Sequence, residues 1–308
     1  MFDNLWVEKY RPSTLDDLIL SKDNRGIVNK YHKDQEIPNL SFYGSPGTGK
    51  TTLAKIIVNS ILECQYLYIN ASDENGIDTI RSKVIQFAQT RSFDGGIKVI
   101  ILDECDGLSQ EAQRALRNTM EEFAQSTRFI LTANYNHKII PALQSRCQSI
   151  DLTPPLDECM CRVRYILDKE NISVDDDQSE LLEGFIKNNY PDLRRIINEV
   201  QKYTVSGKLK ISDTTNCDDL VKKLLALTLS GHVLKVRKYA IEREETFNGD
   251  YVMILRRVFD YIDRSKLPES KKGMALVAVA EAMYRSAFVV DQEINFYSCM
   301  IQLSEIKN

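Results

Sequence analysis

The sequence lacks the cysteine spacing of a zinc module or a disulfide framework. Its seven cysteines are scattered, and no two form a Cys-x-x-Cys pair; they are Cys64, Cys105, Cys147, Cys159, Cys161, Cys217 and Cys299. An odd number of scattered cysteines is typical of free thiols in a reducing compartment. We therefore expect neither bound zinc nor disulfide bonds, and we expect a cytoplasmic location.

The sequence also lacks a long apolar run and an excess of positive charge. Its first residues do not resemble a secretory signal, and no apolar segment approaches the length of a membrane span, about 20 residues. The 40 Lys and Arg against 44 Asp and Glu give a net charge of −4. We predict no membrane partner, and any contact with nucleic acid must come from a local basic patch.

The chain does contain a phosphate-binding loop, Gly44-Ser45-Pro46-Gly47-Thr48-Gly49-Lys50-Thr51. Its glycines allow the backbone to curl so that successive N–H groups face phosphate oxygens. Lys50 can reach the β- and γ-phosphates, and the Thr51 hydroxyl can bind magnesium. An apolar strand precedes the loop, and a helix predicted from Thr52 to Leu62 follows it. This context favours nucleotide binding over a chance glycine-rich turn.

Strands alternate with helices after this loop. The strand at Leu40-Ser41-Phe42-Tyr43 is followed by four more, at Tyr66–Ile69, Ile97–Leu102, Phe129–Thr132 and Ser149–Leu152. The helices between them are predicted at Ile77–Gln89 and Ser109–Phe123. The pattern predicts an α/β domain with a parallel five-stranded sheet and helices on both faces.

The remainder of the chain reads as helical, and the first twenty residues read as irregular. Pro154-Pro155 ends the α/β domain, because proline cannot continue a strand. A helical pattern runs from Leu156 to Val205, and another from Asp218 to the end. We predict three domains, at residues 1–153, 154–212 and 213–308.

Polar side chains follow two of the predicted strands. Asp103 and Glu104 end an apolar strand at the sheet edge where the phosphate loop lies, and Asn134 ends the next strand. Asp103 can hold magnesium, and Glu104 can accept a proton from an attacking water. Asn134 can orient that water or contact the γ-phosphate, although an asparagine at this position often only ends a strand.

Two further segments carry arginines. Ser145-Arg146-Cys147 lies in a loop, where a lone arginine is usually solvated. The run Tyr190-Pro191-Asp192-Leu193-Arg194-Arg195 begins a helix, and Pro191 suits the first turn of that helix. Either Arg194 or Arg195 can reach toward the γ-phosphate from there.

Taken together, these motifs resemble the sliding-clamp loader ATPases, which are AAA+ proteins of the replication factor C type. The resemblance is carried, in family order, by Trp6-Val7-Glu8-Lys9-Tyr10-Arg11-Pro12, the phosphate loop, Asn70-Ala71-Ser72-Asp73, Asp103-Glu104, the helix from Gln110 to Arg117, Asn134, Ser145-Arg146-Cys147 and Pro191-Asp192-Leu193-Arg194. Within the family, four segments look most like the large subunit of T-even-type phage loaders: Ser92-Phe93-Asp94-Gly95, Thr132-Ala133-Asn134, Gln144-Ser145-Arg146-Cys147 and Tyr190-Pro191-Asp192.

The resemblance implies a role for each motif. ATP and Mg²⁺ are the expected cofactors. The box at Tyr10, Arg11 and Pro12 is expected to lie against adenine, and Ser45, Pro46, Gly47, Thr48, Gly49, Lys50, Thr51 and Thr52 to bind the phosphates. Thr51 and Asp103 are expected to hold the metal. Glu104 is expected to be the general base, Asn134 the first sensor, Arg194 the second sensor, and Arg146 an arginine finger that acts on the neighbouring subunit's nucleotide.

The chain departs from the family pattern at three places. Cys105 replaces alanine in the acidic motif, and this small side chain should not disturb the metal. The four-cysteine zinc module of bacterial loaders is absent. Pro191-Asp192 replaces the usual Gly-Asp of the second sensor. This replacement leaves the choice between Arg194 and Arg195 open, and we favour Arg194 by motif position.

The resemblance also implies contact with the backbone of primer-template DNA. Arg114 and Arg117 are three residues apart on one helix face, and Arg81 is a weaker candidate on the preceding helix. Backbone contacts would give affinity without sequence preference. The alternative for Arg114 and Arg117 is pairing with Glu111, Glu121 or Glu122 of their own helix.

These motifs predict an ATP-driven motor subunit that opens a ring clamp and places it on primer-template DNA. The expected partners are the clamp, the DNA, further copies of the chain and a different loader subunit. One alternative is another oligomeric AAA+ ATPase, such as a helicase loader. A second is a self-contained small-molecule kinase, which needs neither the Arg146 loop nor a helical C-terminal domain.

Overall fold

The computed structural model describes residues 5–72, 77–90, 96–211, 217–247, 249–265 and 267–306, with side chains for all of these except 77–81, 217, 218, 245 and 246. The predicted Ser92-Phe93-Asp94-Gly95 loop and Asp73 therefore lie outside the described residues. The chain forms two compact units. One comprises Met1–Asp175 and Asn189–Leu209, and the other Asp176–Asn188 and Lys210–Asn308.

The first unit is built around a parallel five-stranded sheet, as the sequence predicts. Its strands are β1 (Leu40–Tyr43), β2 (Tyr66–Asn70), β3 (Lys98–Asp103), β4 (Thr127–Ala133) and β5 (Gln148–Asp151). They lie in the order β2-β3-β4-β1-β5, and each neighbouring pair is parallel. This order places β1 and β3 on either side of β4.

Helices cover both faces of the sheet. They are α2 (Lys22–Asp34), α3 (Lys50–Ile56), α4 (Ile77–Gln89), α5 (Gln110–Glu122) and α6 (Pro141–Gln144), and a π-helical turn at Ile57–Ile61 continues α3. A short helix, α1 (Trp6–Lys9), precedes them in the chain. Val99 and Ile101 of β3 pack with α2 and α3, whereas Ile100 and Leu102 pack with α5. Because both faces of β3 are buried, its sequence is a continuous apolar run instead of an alternating one.

Two helices of the region after β5 belong to the first unit. The region contains α7 (Leu156–Lys169), α8 (Asp176–Asn189) and α9 (Leu193–Lys202), followed by a hairpin of β6 (Thr204–Val205) and β7 (Lys208–Leu209). Nearly all of α8 lies in the second unit. The hairpin was not predicted, since two-residue strands leave no periodic signal.

Two local predictions are wrong. Residues 6–9 form a helix, although they read as irregular, and buried Trp6 anchors that helix. Pro191 does not occupy the first turn of a helix, because α9 begins at Leu193. Asp192 is the N-cap of α9, and its side chain accepts a hydrogen bond from the Arg195 amide. An Asp cap satisfies an otherwise unpaired N–H at the helix start, which proline at the preceding position cannot do.

The second unit is helical, as predicted. Its helices after α8 are α10 (Cys217–Leu229), α11 (Val233–Ile241), α12 (Tyr251–Arg264), α13 (Glu269–Arg285) and α14 (Gln292–Glu305). Their buried apolar residues form one core around Leu224, Leu255, Val279 and Met300. The fold class is therefore confirmed, whereas the three domain limits stay a prediction. None of the helices in the described ranges has the length and apolar composition needed to cross a bilayer.

A buried glutamine fixes the segment that leads from β4 to α6. Gln113 of α5 is 1% exposed. Its side-chain amide donates to the carbonyls of Leu108 and Lys138, and its oxygen accepts the Ile140 N–H at 2.8 Å. The side chain thus satisfies three backbone groups that have little access to water. It holds α6, and with it the start of the Arg146 segment, against α5.

We expect Gln113→Leu to destabilise this connection. Leucine has a similar size but leaves the three backbone groups without partners, and one unsatisfied buried group costs about 1–3 kcal/mol. The free energy of unfolding in urea should fall by about 2 kcal/mol or more, and the Ile140 amide should exchange its hydrogen faster. The control is Gln110→Leu, an exposed position in the first turn of α5. Equal exchange at Ile140 in both variants would contradict this account.

Candidate nucleotide site

The phosphate loop requires glycine at the positions where its backbone turns. Gly44, Gly47 and Gly49 have φ values of 142°, 76° and 91°, which side chains of L-residues rarely adopt. Gly47 has a second constraint, because a Cβ there would collide with the Asp192 carboxylate and lie 3.1 Å from the Arg194 amide nitrogen. The loop therefore packs directly beneath the start of α9.

Lys50 is folded over the phosphate loop. Its ammonium donates to the carbonyls of Gly44 and Ser45, both at 2.8 Å. Burial lowers the pKa of Lys50, and the nearby Asp103 carboxylate partly opposes this shift. Thr48 also donates its hydroxyl to the Ser45 carbonyl. Lys50 forms no ion pair with any residue in the described part of the chain, and phosphates bound in the loop would supply the missing negative charge.

The predicted metal ligands lie side by side. The Thr51 hydroxyl is 2.8 Å from Oδ1 and 3.0 Å from Oδ2 of Asp103. Magnesium usually takes one or two protein oxygens and completes its octahedron with water and substrate phosphates. A hydroxyl and one carboxylate that meet beside a phosphate loop fit that demand.

Glu104 lies at the same end of β3 but is held differently. Its backbone is left-handed, with φ 56°, and its N–H donates to the Thr132 hydroxyl at 3.0 Å. Its carboxylate accepts a hydrogen bond from the Ser72 hydroxyl. Asn134 lines the same pocket as Glu104, and the Asn134 N–H donates to Asp106. The structure therefore brings both acids and Asn134 together around one space.

That space is a pocket of about 480 Å³ that contains most of the predicted phosphate and metal groups. Its lining residues are Pro46, Gly47, Gly49, Lys50, Thr51, Thr52, Asp103, Glu104, Thr132, Asn134 and Arg194. Ser45 contributes its carbonyl to Lys50 instead of lining the pocket. The sequence analysis did not identify Thr132. The only available signal was its position two residues before Asn134 on the same strand.

A second, more apolar pocket of about 680 Å³ adjoins the loop on the side of the N-terminal segment. Its lining includes Tyr10, Arg11 and Pro12, which were expected to lie against adenine, and Thr48, which was expected to bind phosphate. Residues that the sequence analysis did not identify also line it; they are Val7, Asp17, Leu18, Ile19, Pro154, Arg162, Leu193 and Ile197. Its lining of apolar side chains with a few polar groups suits a purine ring.

The N-terminal segment is fastened to α7 beside this pocket. The Tyr10 hydroxyl donates to Glu170 at 2.5 Å, and the Lys9 ammonium pairs with the same carboxylate at 2.6 Å. Arg162 of α7 donates to the Tyr10 carbonyl. The Arg11 guanidinium turns away to Glu8. The box therefore forms one wall of the pocket and is held there by α7 and Glu170.

Arg194, and not Arg195, reaches the phosphate region. Arg194 is exposed and lines both pockets, whereas Arg195 lines neither. Its positive charge helps to lower the pKa of Lys50, behind the larger effect of burial. The role of Arg194 as the second sensor stays a prediction.

Arg146 is bound within its own unit. Its guanidinium forms an ion pair with Glu121 of α5 and donates to the Ala142 carbonyl at 2.8 Å. The side chain remains one-third exposed. Arg146 lines neither pocket of the chain that carries it.

The candidate DNA arginines of α5 do not pair with acids of their own helix in the described part of the chain. Arg114 is exposed, and Arg117 donates to the Asn118 side chain at 2.6 Å. Glu121, one of the alternative partners, is bound to Arg146 instead. The side chain of Arg81 lies outside the described residues.

Comparison with known families separates the chain into two matched regions. Residues 40–154 match the model of the ATPase family associated with various cellular activities, AAA. Residues 154–215 match the model of the AAA+ ATPase lid domain of a sliding-clamp-loader large subunit. The chain is therefore an AAA+ ATPase, and the matched regions meet at the Pro154-Pro155 boundary.

Full-length similarity to curated proteins extends over the second unit as well. The chain is 34% identical to a replication factor C small subunit of Sulfurisphaera tokodaii, over 97% of this chain and 95% of that protein. It is 33% identical to replication factor C subunit 5 of Mus musculus, over 95% of this chain and 89% of that protein. The chain therefore belongs to the replication factor C family of AAA+ ATPases.

Proposed function

We propose that this chain is the ATP-hydrolysing motor subunit of a sliding-clamp loader, which opens a ring clamp and loads it onto primer-template DNA during replication. The observation that carries the proposal is the convergence of Lys50, Thr51, Asp103 and Glu104 on one pocket, in a chain similar to replication factor C subunits over almost its whole length. Such a pocket can bind and hydrolyse ATP.

The residues have distinct parts in this reaction. Tyr10, Arg11 and Pro12 wall the base, and the loop from Ser45 to Thr52 binds the phosphates. Thr51 and Asp103 hold Mg²⁺, which neutralises charge on the phosphates when it is bound. Glu104 is a catalytic residue that accepts the proton of the attacking water, and Asn134 orients that water. Arg194 contacts the γ-phosphate from α9.

The details of the assembly are part of the proposal. Its partners are the clamp, primer-template DNA, further copies of the chain and a different loader subunit, in the cytoplasm.

We infer a particular closeness to the large subunit of T-even-type phage loaders. The lid model and the Tyr190-Pro191-Asp192 segment support that inference, although the two curated relatives compared above are archaeal and mammalian. The alternative function is that of a helicase loader or another oligomeric AAA+ ATPase. Stimulation of ATP hydrolysis by clamp together with primed DNA would favour the clamp loader over this alternative.

The first functional prediction distinguishes the role of Glu104 in hydrolysis from the role of Lys50 in binding. Glu104→Gln should retain ATP binding and lose turnover, because the amide cannot take up the proton of water. Lys50→Ala should lose binding itself, because the loop then has no cation of its own for the phosphates. Binding of a fluorescent ATP analogue and steady-state hydrolysis measure the two effects separately. Near-normal hydrolysis by Glu104→Gln would remove this residue from the role of base.

The second prediction concerns Arg146 in the assembled complex. Arg146→Ala should bind ATP normally and hydrolyse it about 10³–10⁵-fold more slowly, which is the usual contribution of an arginine finger. The effect should act between subunits. A mixture of Arg146→Ala with Glu104→Gln chains should regain activity, because some interfaces then pair an intact Glu104 with an intact Arg146. Steady-state hydrolysis across a mixing series, with clamp and primed DNA present, measures this.

Two controls sharpen the mixing experiment. Arg128→Ala removes an arginine that pairs with Glu36 and lines neither pocket, so it should leave hydrolysis and mixing unchanged. Subunit exchange is confirmed by energy transfer between labelled chains. If exchange occurs and the mixtures never exceed the weighted sum of the two single variants, Arg146 does not act on a neighbouring subunit.

The third prediction concerns DNA. If Arg114 and Arg117 contact phosphates, changing both to Ala should reduce DNA-stimulated hydrolysis and lower the salt dependence of DNA binding by about one unit of slope per contact. The matched control is Lys30→Ala with Lys33→Ala, two exposed cations with the same spacing on α2, which covers the opposite face of the sheet. Basal hydrolysis should change in neither double variant. Equal salt slopes in the two double variants would exclude the DNA role.

A further inference from the structure

Hydroxyl groups from three different elements surround the Asp103 carboxylate. Besides Thr51 of α3, Tyr68 of β2 donates to Oδ2 at 2.8 Å, and Thr132 of β4 donates to Oδ1 at 2.5 Å. Asp103 and Thr132 are buried, at 7% and 1% exposure. Neither Tyr68 nor Thr132 was among the site residues predicted from the sequence.

The two donors approach from the strands on either side of β3. Residue 70 of β2 is paired with Asp103, which places Tyr68 two positions before that pair. Leu131 of β4 is paired with Leu102, which places Thr132 beside Asp103. The Lys55 ammonium lies 4.8 Å from the centre of the Tyr68 ring and adds a cation–π contact from α3. The carboxylate is thus held from both sides of its own strand.

These contacts determine how the carboxylate is presented. An ionised carboxylate has about four lone-pair positions. Tyr68 occupies one on Oδ2, and Thr132 occupies one on Oδ1. Each oxygen keeps a position for Thr51 or for a water of the metal shell. Rotation of the carboxylate would break one of the two strand contacts.

Thr132 has a second contact, with the neighbouring acid. Its hydroxyl oxygen accepts a hydrogen bond from the Glu104 N–H at 3.0 Å, and the same hydroxyl donates a hydrogen bond to Asp103. The Glu104 backbone is left-handed, a conformation that a bulky L-residue adopts only when its surroundings impose it. One hydroxyl therefore fixes the metal ligand and the backbone that carries the base.

We propose that Tyr68 and Thr132 are positioning residues for the metal, acting through Asp103, and that Thr132 also positions Glu104. The proposal rests on the proposed function, since it assumes that Asp103 binds Mg²⁺ with a nucleotide. Partners that orient a metal ligand typically contribute about 10–100-fold in metal affinity or activity.

The test measures metal binding without turnover. Mn²⁺ is titrated into the full chain in the presence of a non-hydrolysable ATP analogue, and free Mn²⁺ is read from its electron paramagnetic resonance signal. Tyr68→Phe removes only the hydroxyl and should weaken Mn²⁺ binding about 10-fold. The matched control is Tyr66→Phe, on the same face of β2 and similarly exposed, which should bind Mn²⁺ as the wild type does.

Thr132 is tested with a pair of variants. Thr132→Val keeps the shape and removes the hydroxyl; it should weaken Mn²⁺ binding about 10-fold and reduce turnover even at saturating Mg²⁺, because Glu104 also loses its contact. Thr132→Ser keeps the hydroxyl and should restore both quantities to within about 2-fold of the wild type. Thr127→Val removes a buried hydroxyl at the other end of β4 and serves as the control.

The outcomes separate this proposal from the function on which it rests. If the wild-type chain binds no Mn²⁺ with the analogue, the proposed function fails. If the wild type binds Mn²⁺ and Tyr68→Phe and Thr132→Val match it, the positioning proposal is wrong. Two further outcomes would show that Thr132 acts through packing and would overturn its assignment. In one, Thr132→Ser does not restore the Mn²⁺ binding that Thr132→Val loses. In the other, Thr127→Val loses as much Mn²⁺ binding and as much melting temperature as Thr132→Val does.

Discussion

The site depends on the parallel pairing of β1, β3 and β4. Parallel strands bring their carboxyl ends to one edge, so the loop after β1, the acids at the end of β3 and Asn134 after β4 meet there. The register of these strands also determines towards which face of the sheet each side chain points. A shift of one residue between β3 and β4 would turn Asp103 to the opposite face, away from Thr51. The apolar residues buried on both faces of β3 prevent that shift, so the core and the site are stabilised by the same pairing.

Charge in the pocket is arranged to receive a ligand instead of being neutralised internally. Lys50 contacts carbonyls, and the hydrogen bonds to Asp103 come from hydroxyls. A buried ion pair between them would satisfy both charges and leave little for phosphate or metal to gain. Burial lowers the pKa of Lys50 and the Asp103 carboxylate opposes this shift only in part, which reflects the cost of holding a buried cation on carbonyl oxygens. Bound phosphates would offset that cost at Lys50, and a bound metal would balance the charge of the Asp103 carboxylate.

The sequence was sufficient to predict features that have a regular period or a fixed motif. The five strands and the bounds of α4 and α5 to within one residue were predicted because each is encoded within a short segment. The motifs of the phosphate loop and of the two acids are short segments as well. The contacts of Ser72, Tyr68 and Thr132 were not predicted, because each joins segments that are distant in the sequence. The same is true of Glu121 and Arg146, whose pairing depends on the packing of α5 against α6. Helix α1 was missed because four residues are too short for a periodic pattern, and Pro191 was misplaced because an Asp cap determined where α9 begins.

Helix α5 contributes to two surfaces of the proposed function, one for DNA and one for the neighbouring subunit. Arg114 and Arg117 lie on the same helix as Glu121, which binds Arg146. The helix has 13 residues, and its buried side chains, including Gln113, fix it to the sheet and to the segment before α6. A finger that acts on a neighbouring nucleotide must first leave Glu121, and a surface ion pair of this kind contributes only about 0–1 kcal/mol. Arg117 and Glu121 are four residues apart on α5 and are therefore neighbours on the helix surface. DNA phosphates bound at Arg117, as proposed, would place anions beside the carboxylate that holds Arg146 and would compete with it for the guanidinium.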